Sequence, residues 1–177
     1  MANPDSKPPG KLVEETGATV DTFHVAPVSH LWLGRLVEID SNWNPRSWSV
    51  QLFERELSSS SSRVRGLFVQ DLLVGYLIAH VVCDEAHIVS FGIAPEWREK
   101  GGGKFLLADF LRMAPLEGVV VISLDVRASN QRARNLYSRY GFSVAGVRRR
   151  YYSDNGEDAL TMRVELPRSN GKRSEAE

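Results

Sequence analysis

Residues Trp97–Lys104 read W-R-E-K-G-G-G-K, and here the main chain itself could do chemistry. Gly101, Gly102 and Gly103 lack a Cβ, so a ligand can approach the backbone closely. The run lies between an apolar stretch of strand character, Ile88–Ala94, and an amphipathic stretch of helical spacing, Gly103–Ala114. A glycine turn between strand and helix gathers N–H groups toward one point. The helix start adds orphan donors and a partial positive charge. That chemistry is anion binding, and a phosphate-bearing ligand is the first expectation.

Two familiar phosphate motifs do not fit. A P-loop needs Ser or Thr after its Gly-Lys pair, to hold magnesium, and Lys104 is followed by Phe105. The dinucleotide fingerprint needs a third glycine where Leu106 stands. What remains is R-x-x-G-x-G, as Arg98, Gly101 and Gly103.

The elements that must position this turn follow from pattern. Thr22–Val25 reads as a strand broken by Pro27, and Ser29 as the N-cap of a helix through Ile39. Asn42–Pro45 is a turn. Ser49 caps a short helix with Val50, Phe53 and Leu57 on one face. Ser58–Ser62 reads as a flexible connection. Val64–Val69, Leu73–Val82 and Ala86–Ala94 form an antiparallel meander, turning at Gln70–Asp71 and Asp84–Glu85. The helix after the glycines ends at Pro115. Val119–Val126 is nearly continuous in apolar residues, as for a strand covered on both faces. Asn130 opens a helix carrying Ala133, Leu136, Tyr137 and Tyr140, with Gly141 at C′. Phe142–Val147 and Leu160–Leu166 are the last strands, joined through a turn at Asn155–Gly156. The order β-α-α-β-β-β-α-β-α-β-β describes a single α/β domain (α+β by some schemes). Its sheet is mixed and mostly antiparallel, with six to seven strands and about four helices.

A chain of 177 residues suits one domain, here placed at 18–166 between a disordered arm, 1–17, and a disordered tail, 167–177. The 22 basic residues balance the 22 acidic ones, so charge gives no reason to expect nucleic acid. A single cysteine, Cys83, excludes an internal disulfide framework and points to a reducing compartment, the cytoplasm. No apolar run approaches the ~20 residues of a membrane span, and the polar N-terminus does not read as a secretory signal. His24, His30, His80 and His87 have no ligand spacing, so no metal is expected.

With its surroundings, R-x-x-G-x-G resembles the acetyl-CoA-binding loop of the GNAT (Gcn5-related) acyltransferases, and the element order matches theirs. Within that family, L-D-V-R-A-S-N at Leu124–Asn130 and L-Y-S-R-Y-G-F at Leu136–Phe142 resemble the RimI branch of ribosomal-protein-alanine N-acetyltransferases. So do R-R-x-Y-Y, ending at Tyr152, and E-D-A at Glu157–Ala159. The likeness runs from about Trp48 to Leu166. It implies a GNAT fold and acetyl-CoA as co-substrate. The pyrophosphate would lie on Arg98, Glu99, Lys100, Gly101, Gly102, Gly103 and Lys104. The pantetheine would meet the main chain of Phe91, Gly92 and Ile93, and Asn130 would touch coenzyme A. The acceptor would be a protein or peptide N-terminus, with that of a small-subunit ribosomal protein as one such acceptor, and the enzyme a monomer or weak dimer.

Acetyl transfer needs a neutral amine, a polarised carbonyl and a proton for the departing sulfur. A protein α-amine, with pKa about 7.7–8.0 against about 10.4 for lysine, is already partly neutral near pH 7. Asp125 interrupts an apolar strand near its C-terminal end and is the candidate general base; pairing with Arg127 or capping a nearby turn is its structural alternative. The RimI pattern has Glu at this position, one methylene longer. Tyr137 is the candidate general acid, and a core tyrosine is the alternative. Asn130 could equally be a helix N-cap. Backbone N–H groups near Phe91–Ile93 would polarise the carbonyl. Tyr151 and Tyr152 would clasp the acceptor or simply pack beside a basic turn. Two other functions stay open: a GNAT acting on lysine or a small amine, and a non-catalytic acyl-CoA-binding module.

Overall fold

A computed structural model describes residues 22–167. The expected arm, 1–17, lies outside the described residues, as do 18–21 of the expected domain and all of the expected tail except Pro167. In chain order the elements are β1 (Phe23–Pro27), α1 (Leu33–Ser41), α2 (Val50–Ser58), β2 (Ser62–Val69), β3 (Leu72–Val82), β4 (Glu85–Ile93), α3 (Gly102–Met113), β5 (Val121–Arg127), α4 (Gln131–Arg139), β6 (Ser143–Tyr152) and β7 (Glu157–Glu165). The strands form one seven-stranded sheet, β1-β2-β3-β4-β5-β7-β6. Only the β4–β5 pair is parallel.

Strand alternation divides the apolar residues between two faces. Val74, Leu77 and Ala79 of β3 pack with Leu106, Leu107 and Phe110 of α3 and Tyr137 of α4. Leu73, Tyr76 and Ile78 pack with Leu36 and Ile39 of α1 and Phe53 of α2. Ser49 caps α2, its hydroxyl accepting the Leu52 N–H at 3.3 Å.

Several boundaries differ from the sequence expectation. Pro27 is the last residue of β1 and sits on its outer edge, where a missing N–H costs no ladder bond. Ser62 belongs to β2 and is buried, so only its neighbours Ser59–Ser61 form the connection. Helices cover β5 on one face only. Ile122, Leu124 and Val126 enter the core with α3 and α4, while Ser123, Asp125 and Arg127 stay partly exposed on the other face. α1 and α2 do not reach that far across the sheet. β6 continues past Val147 to Tyr152 because a bulge absorbs the basic run: Arg148 pairs with Ala159 and Tyr152 with Glu157. Arg150 takes φ +50° and donates its N–H to Asp158 Oδ1 at 2.8 Å.

A second bulge shapes the centre. Ile78 pairs with Ser90 and Ala79 with Ile88, leaving Val89 of β4 as the extra residue. β4 and β5 then pair only from Glu85↔Val121 to Ile88↔Leu124. Beyond Ile88 the two strands have no ladder, so their facing main-chain groups are open to a ligand.

The loop between α1 and α2 is anchored by a fully buried carboxylate. Asp40 accepts the Tyr76 hydroxyl at 2.6 Å and the Trp48 N–H at 2.7 Å, and Tyr76 also contacts Ser90 Oγ at 2.9 Å. Burial first, and then the neighbouring carboxylate, push the Tyr76 phenol well above its ordinary value, so it remains a donor. Asp40→Ala removes the shared acceptor of the Tyr76 hydroxyl and the Trp48 N–H and should cost about 3 kcal/mol. For a domain of this size that is a fall in Tm of roughly 6–12 °C, read by thermal unfolding.

Candidate active site

The parting of β4 from β5 opens a cleft of about 1430 Å³. Its walls bring together nearly every residue singled out from sequence: Phe91, Gly92 and Ile93, the turn from Arg98 to Lys104, Asn130, Asp125, Tyr137, Tyr151 and Tyr152. Gly102 is the exception. It is buried, and a Cβ there would lie 2.7 Å from Leu67 Cδ2, so packing of α3 on β2 explains its missing side chain.

The turn has the conformation that its glycines permit. Gly101 caps α3 at φ +91°, a left-handed backbone that favours glycine, while its neighbour Gly103 faces the cleft. Arg98 Nε donates to the Ile93 carbonyl at 3.1 Å, tying the turn to the open end of β4. Its Nη2 is buried with no hydrogen-bond partner among the described residues, a donor suited to an anion. Lys100 lies 4.4 Å above the Trp97 ring, and Arg132 of α4 meets Glu99 at 2.8 Å. Tyr140 donates its hydroxyl to the Lys104 carbonyl at 3.1 Å, fixing α4 to the start of α3. Main-chain donors, a helix N-terminus and an unpaired guanidinium N–H fit a pyrophosphate.

Asn130 is the N-cap of α4, its Oδ1 accepting the Ala133 N–H at 3.1 Å, and it lines the cleft as well. The N-cap reading is thus observed, and the side chain's place on the cleft wall leaves a ligand contact open to it as well.

Asp125 is on the cleft wall with a side chain only 8% exposed. Its partner is Arg148 of β6, not Arg127: Arg148 Nη1 donates to Oδ2 at 2.6 Å, and the Thr161 hydroxyl donates to Oδ1 at 2.6 Å. Tyr137 is buried between Phe91 and Phe142, with ring centroids 6.4 and 5.7 Å away. Burial, reinforced by Tyr152, raises its phenol well above the ordinary value, so it holds its proton throughout the working range.

Arg127 instead braces the β6–β7 hairpin. It meets Asp154 at 2.8 Å and Glu157 at 3.2 Å, and lies 3.8 Å over the Tyr152 ring. Tyr151 and Tyr152 meet edge to face, with centroids 5.2 Å apart. Burial pushes the Tyr152 phenol up to about 12. Ser129, through its side chain first and then its N–H at 2.8 Å, with help from Asn155 and Arg127, holds Glu157 down at about 2 against an ordinary 4.5. A carboxyl with a lower value when folded binds fewer protons in that state. Its contribution is therefore complete above about pH 4.5 and is lost as pH falls through about 2. Glu157→Gln should flatten the pH dependence of stability between those values, measured by acid unfolding followed by tryptophan fluorescence.

The structure adds residues that sequence reasoning missed. Trp43, Asn44, Pro45 and Arg46, between α1 and α2, also line the cleft. A Cβ on Gly92 would lie 2.6 Å from Trp43 Nε1, so this glycine lets the indole close on the open strand. The N-W-N-P composition of that loop signalled only a turn.

The acetyltransferase (GNAT) family model matches residues 33–142. The chain belongs to the GNAT acetyltransferase family. It is an acetyl-CoA-dependent N-acetyltransferase. The Escherichia coli K12 protein named ribosomal protein bS18-alanine N-acetyltransferase is 35% identical over 126 residues, 70% of this chain and 81% of that one. The Mycobacterium tuberculosis N-alpha-acetyltransferase RimI is 37% identical over 120 residues, 66% of this chain and 74% of that one. The crystal structure of the E. coli ribosomal-protein-S18-alanine N-acetyltransferase superposes with a TM-score of 0.77 at 27% identity, covering 88% of this chain and all of that one. This GNAT chain has no helix among the described residues that is long and apolar enough to cross a membrane.

Proposed function

We propose that this GNAT enzyme acetylates the N-terminal α-amine of a protein, and that an alanine terminus of the bS18 type is the first acceptor to try. One observation carries the reading. A carboxylate, Asp125, and a proton-bearing phenol, Tyr137, line a single cleft where β4 and β5 part, between an anion-binding turn and an aromatic hairpin. The relatives named for bS18-alanine acetylation support the choice of acceptor.

Acetyl-CoA supplies the acyl group as a thioester. Main-chain groups of Phe91–Ile93 bind its arm and polarise the carbonyl, and the turn from Arg98 to Lys104, with Asn130, holds its phosphates. The acceptor chain lies between the Trp43–Arg46 loop and Tyr151–Tyr152, its amine directed toward Asp125. The amine nitrogen bonds to the thioester carbon, Asp125 draws off the nitrogen's proton, the C–S bond breaks, and Tyr137 protonates the sulfur. Attack is direct, so no enzyme nucleophile is required. Exposed Cys83 lies in the β3–β4 turn, away from the cleft, and a free thiol there suits the cytoplasm. The test is mass spectrometry of N-terminal peptides from cells lacking this protein. Loss of acetylation from one or a few termini, with bS18 examined first, is the expected result. An unchanged N-terminal acetylome overturns the reading.

A further inference from the structure

Both oxygens of Asp125 are engaged, Oδ1 by Thr161 and Oδ2 by Arg148, each at 2.6 Å. A carboxylate held this way is a better conduit for a proton if a second acceptor stands beside it. His87 is such a group. In the parallel β4–β5 ladder His87 pairs with Ser123, and Asp125 follows two residues later on the same face. Its ring contacts Ser123 Oγ through Nδ1 at 2.9 Å, and Ser123 Oγ donates to the Ala86 carbonyl at 3.4 Å. A serine hydroxyl has one proton. With that proton directed at Ala86, Nδ1–H is the donor to Oγ, and Nε2 carries the bare lone pair.

His87 Nε2 faces Asp125 Oδ2 at 4.0 Å. That is too long for a direct hydrogen bond and close to what one water spans, since two ~2.8 Å bonds meeting near the tetrahedral angle reach ~4.4 Å. A water donating one O–H to Oδ2 and the other to Nε2 turns its own lone pairs outward. We propose that His87 is the terminal proton acceptor of acetyl transfer, joined to Asp125 through one water, so that the base is a His–Asp pair. This rests on the acetyl-transfer reading above and refines its proton step.

The step balances. As the N–C bond forms and the C–S bond breaks, the nitrogen gives one proton to the water, and the water passes one of its own to Nε2. Asp125 stays ionised and stabilises the imidazolium. Sulfur takes the Tyr137 proton. His87, whose side chain is 41% exposed, returns its proton to solvent, and Tyr137 regains one. The groups facing His87 are Asp125 on β5, Arg148 on β6 and His80 on β3, the last held by Glu56 of α2 at 2.8 Å. Burial lowers the His87 value from 6.5, with Arg148 and His80 acting in the same direction and Asp125 against them. The ring is therefore neutral at pH 7, the form that accepts a proton.

The test compares His87→Gln and His87→Ala with the unaltered full chain, using acetyl-CoA and an alanine-terminated peptide. Both variants should lose about tenfold or more in kcat at pH 7, with the KM for each substrate within about twofold. Added imidazole should restore the Ala variant, and the acidic limb of kcat below pH 6.5 should disappear in both. A Gln variant with unchanged kcat and the same acidic limb overturns the proposal. So does a slow Ala variant, folded by circular dichroism, that imidazole does not rescue. If Asp125→Ala keeps full activity while the unaltered chain turns over, the His–Asp pair fails and acetyl transfer stands. If the unaltered chain releases no thiol with any amine, the acetyl-transfer reading itself fails.

Discussion

Asp125→Ala should lower kcat by about 10²-fold or more while changing acetyl-CoA affinity less than about threefold. The side chain is nearly buried yet lines the cleft, and it is the carboxylate set on the open face of β5 just past the last β4–β5 pair. Removing it leaves the proposed co-substrate turn, Arg98 to Lys104, untouched, because that turn comes from other elements. Arg148 loses its partner, but its own side chain is 53% exposed and water can solvate it, so the fold should survive. Asp125→Asn separates charge from shape. It keeps an acceptor for Thr161 and removes the negative charge, and its kcat should fall nearly as far as that of the Ala variant. Thiol release at saturating acetyl-CoA measures both. A large rise in acetyl-CoA Kd with kcat preserved would mean that Asp125 shapes the donor site instead.

Tyr137→Phe should lower kcat by about 10–10²-fold at every pH between 6 and 9. The phenol is raised by burial and by Tyr152, so its protonation does not change across that range and the loss should be uniform. Phenylalanine preserves the contacts with Phe91 and Phe142, so stability should be almost unaffected. What is lost is a proton for sulfur, a group with an ordinary thiol value near 8.5. The readout is kcat against pH, alongside a thermal unfolding curve for the same sample. A Phe variant that is fully active would return Tyr137 to the role of a core aromatic.

Much of this was legible in the chain because periodicity and turn chemistry are local. Helical spacing of Leu106, Leu107 and Phe110 fixed α3, and Asn130 with Gly141 bracketed the α4 region. The glycine turn, Asp125 and Tyr137 stood out for the same reason: each breaks or completes a short pattern. What was not legible depends on contacts between distant residues. Arg148 reaches Asp125 across 23 positions, and His87 reaches Ser123 across 36. Neither pairing leaves a trace at spacing 2 or 3.6. The outer part of β6 was missed because R-R-R-Y-Y has no alternation, and it became strand only through a bulge held by Asp158. β5 looked two-sided because Val119 and Val120 extended its apolar run, although both precede the strand and Ser123 already faces outward. Asp40 offered no signal at all. A lone acidic residue in an amphipathic helix reads as surface, and only the fold sets it against Tyr76.

The most direct test of the central claim uses the purified full chain, acetyl-CoA and two peptides. One has a free N-terminal alanine and an internal lysine, and the other is the same peptide with a blocked N-terminus. Thiol release is followed while the products are mapped by tandem mass spectrometry. One acetyl group on the α-amine of the first peptide, with no turnover of the second, is the predicted result. Acetylation of the lysine at equal rates in both peptides, with the free α-amine untouched, would contradict it.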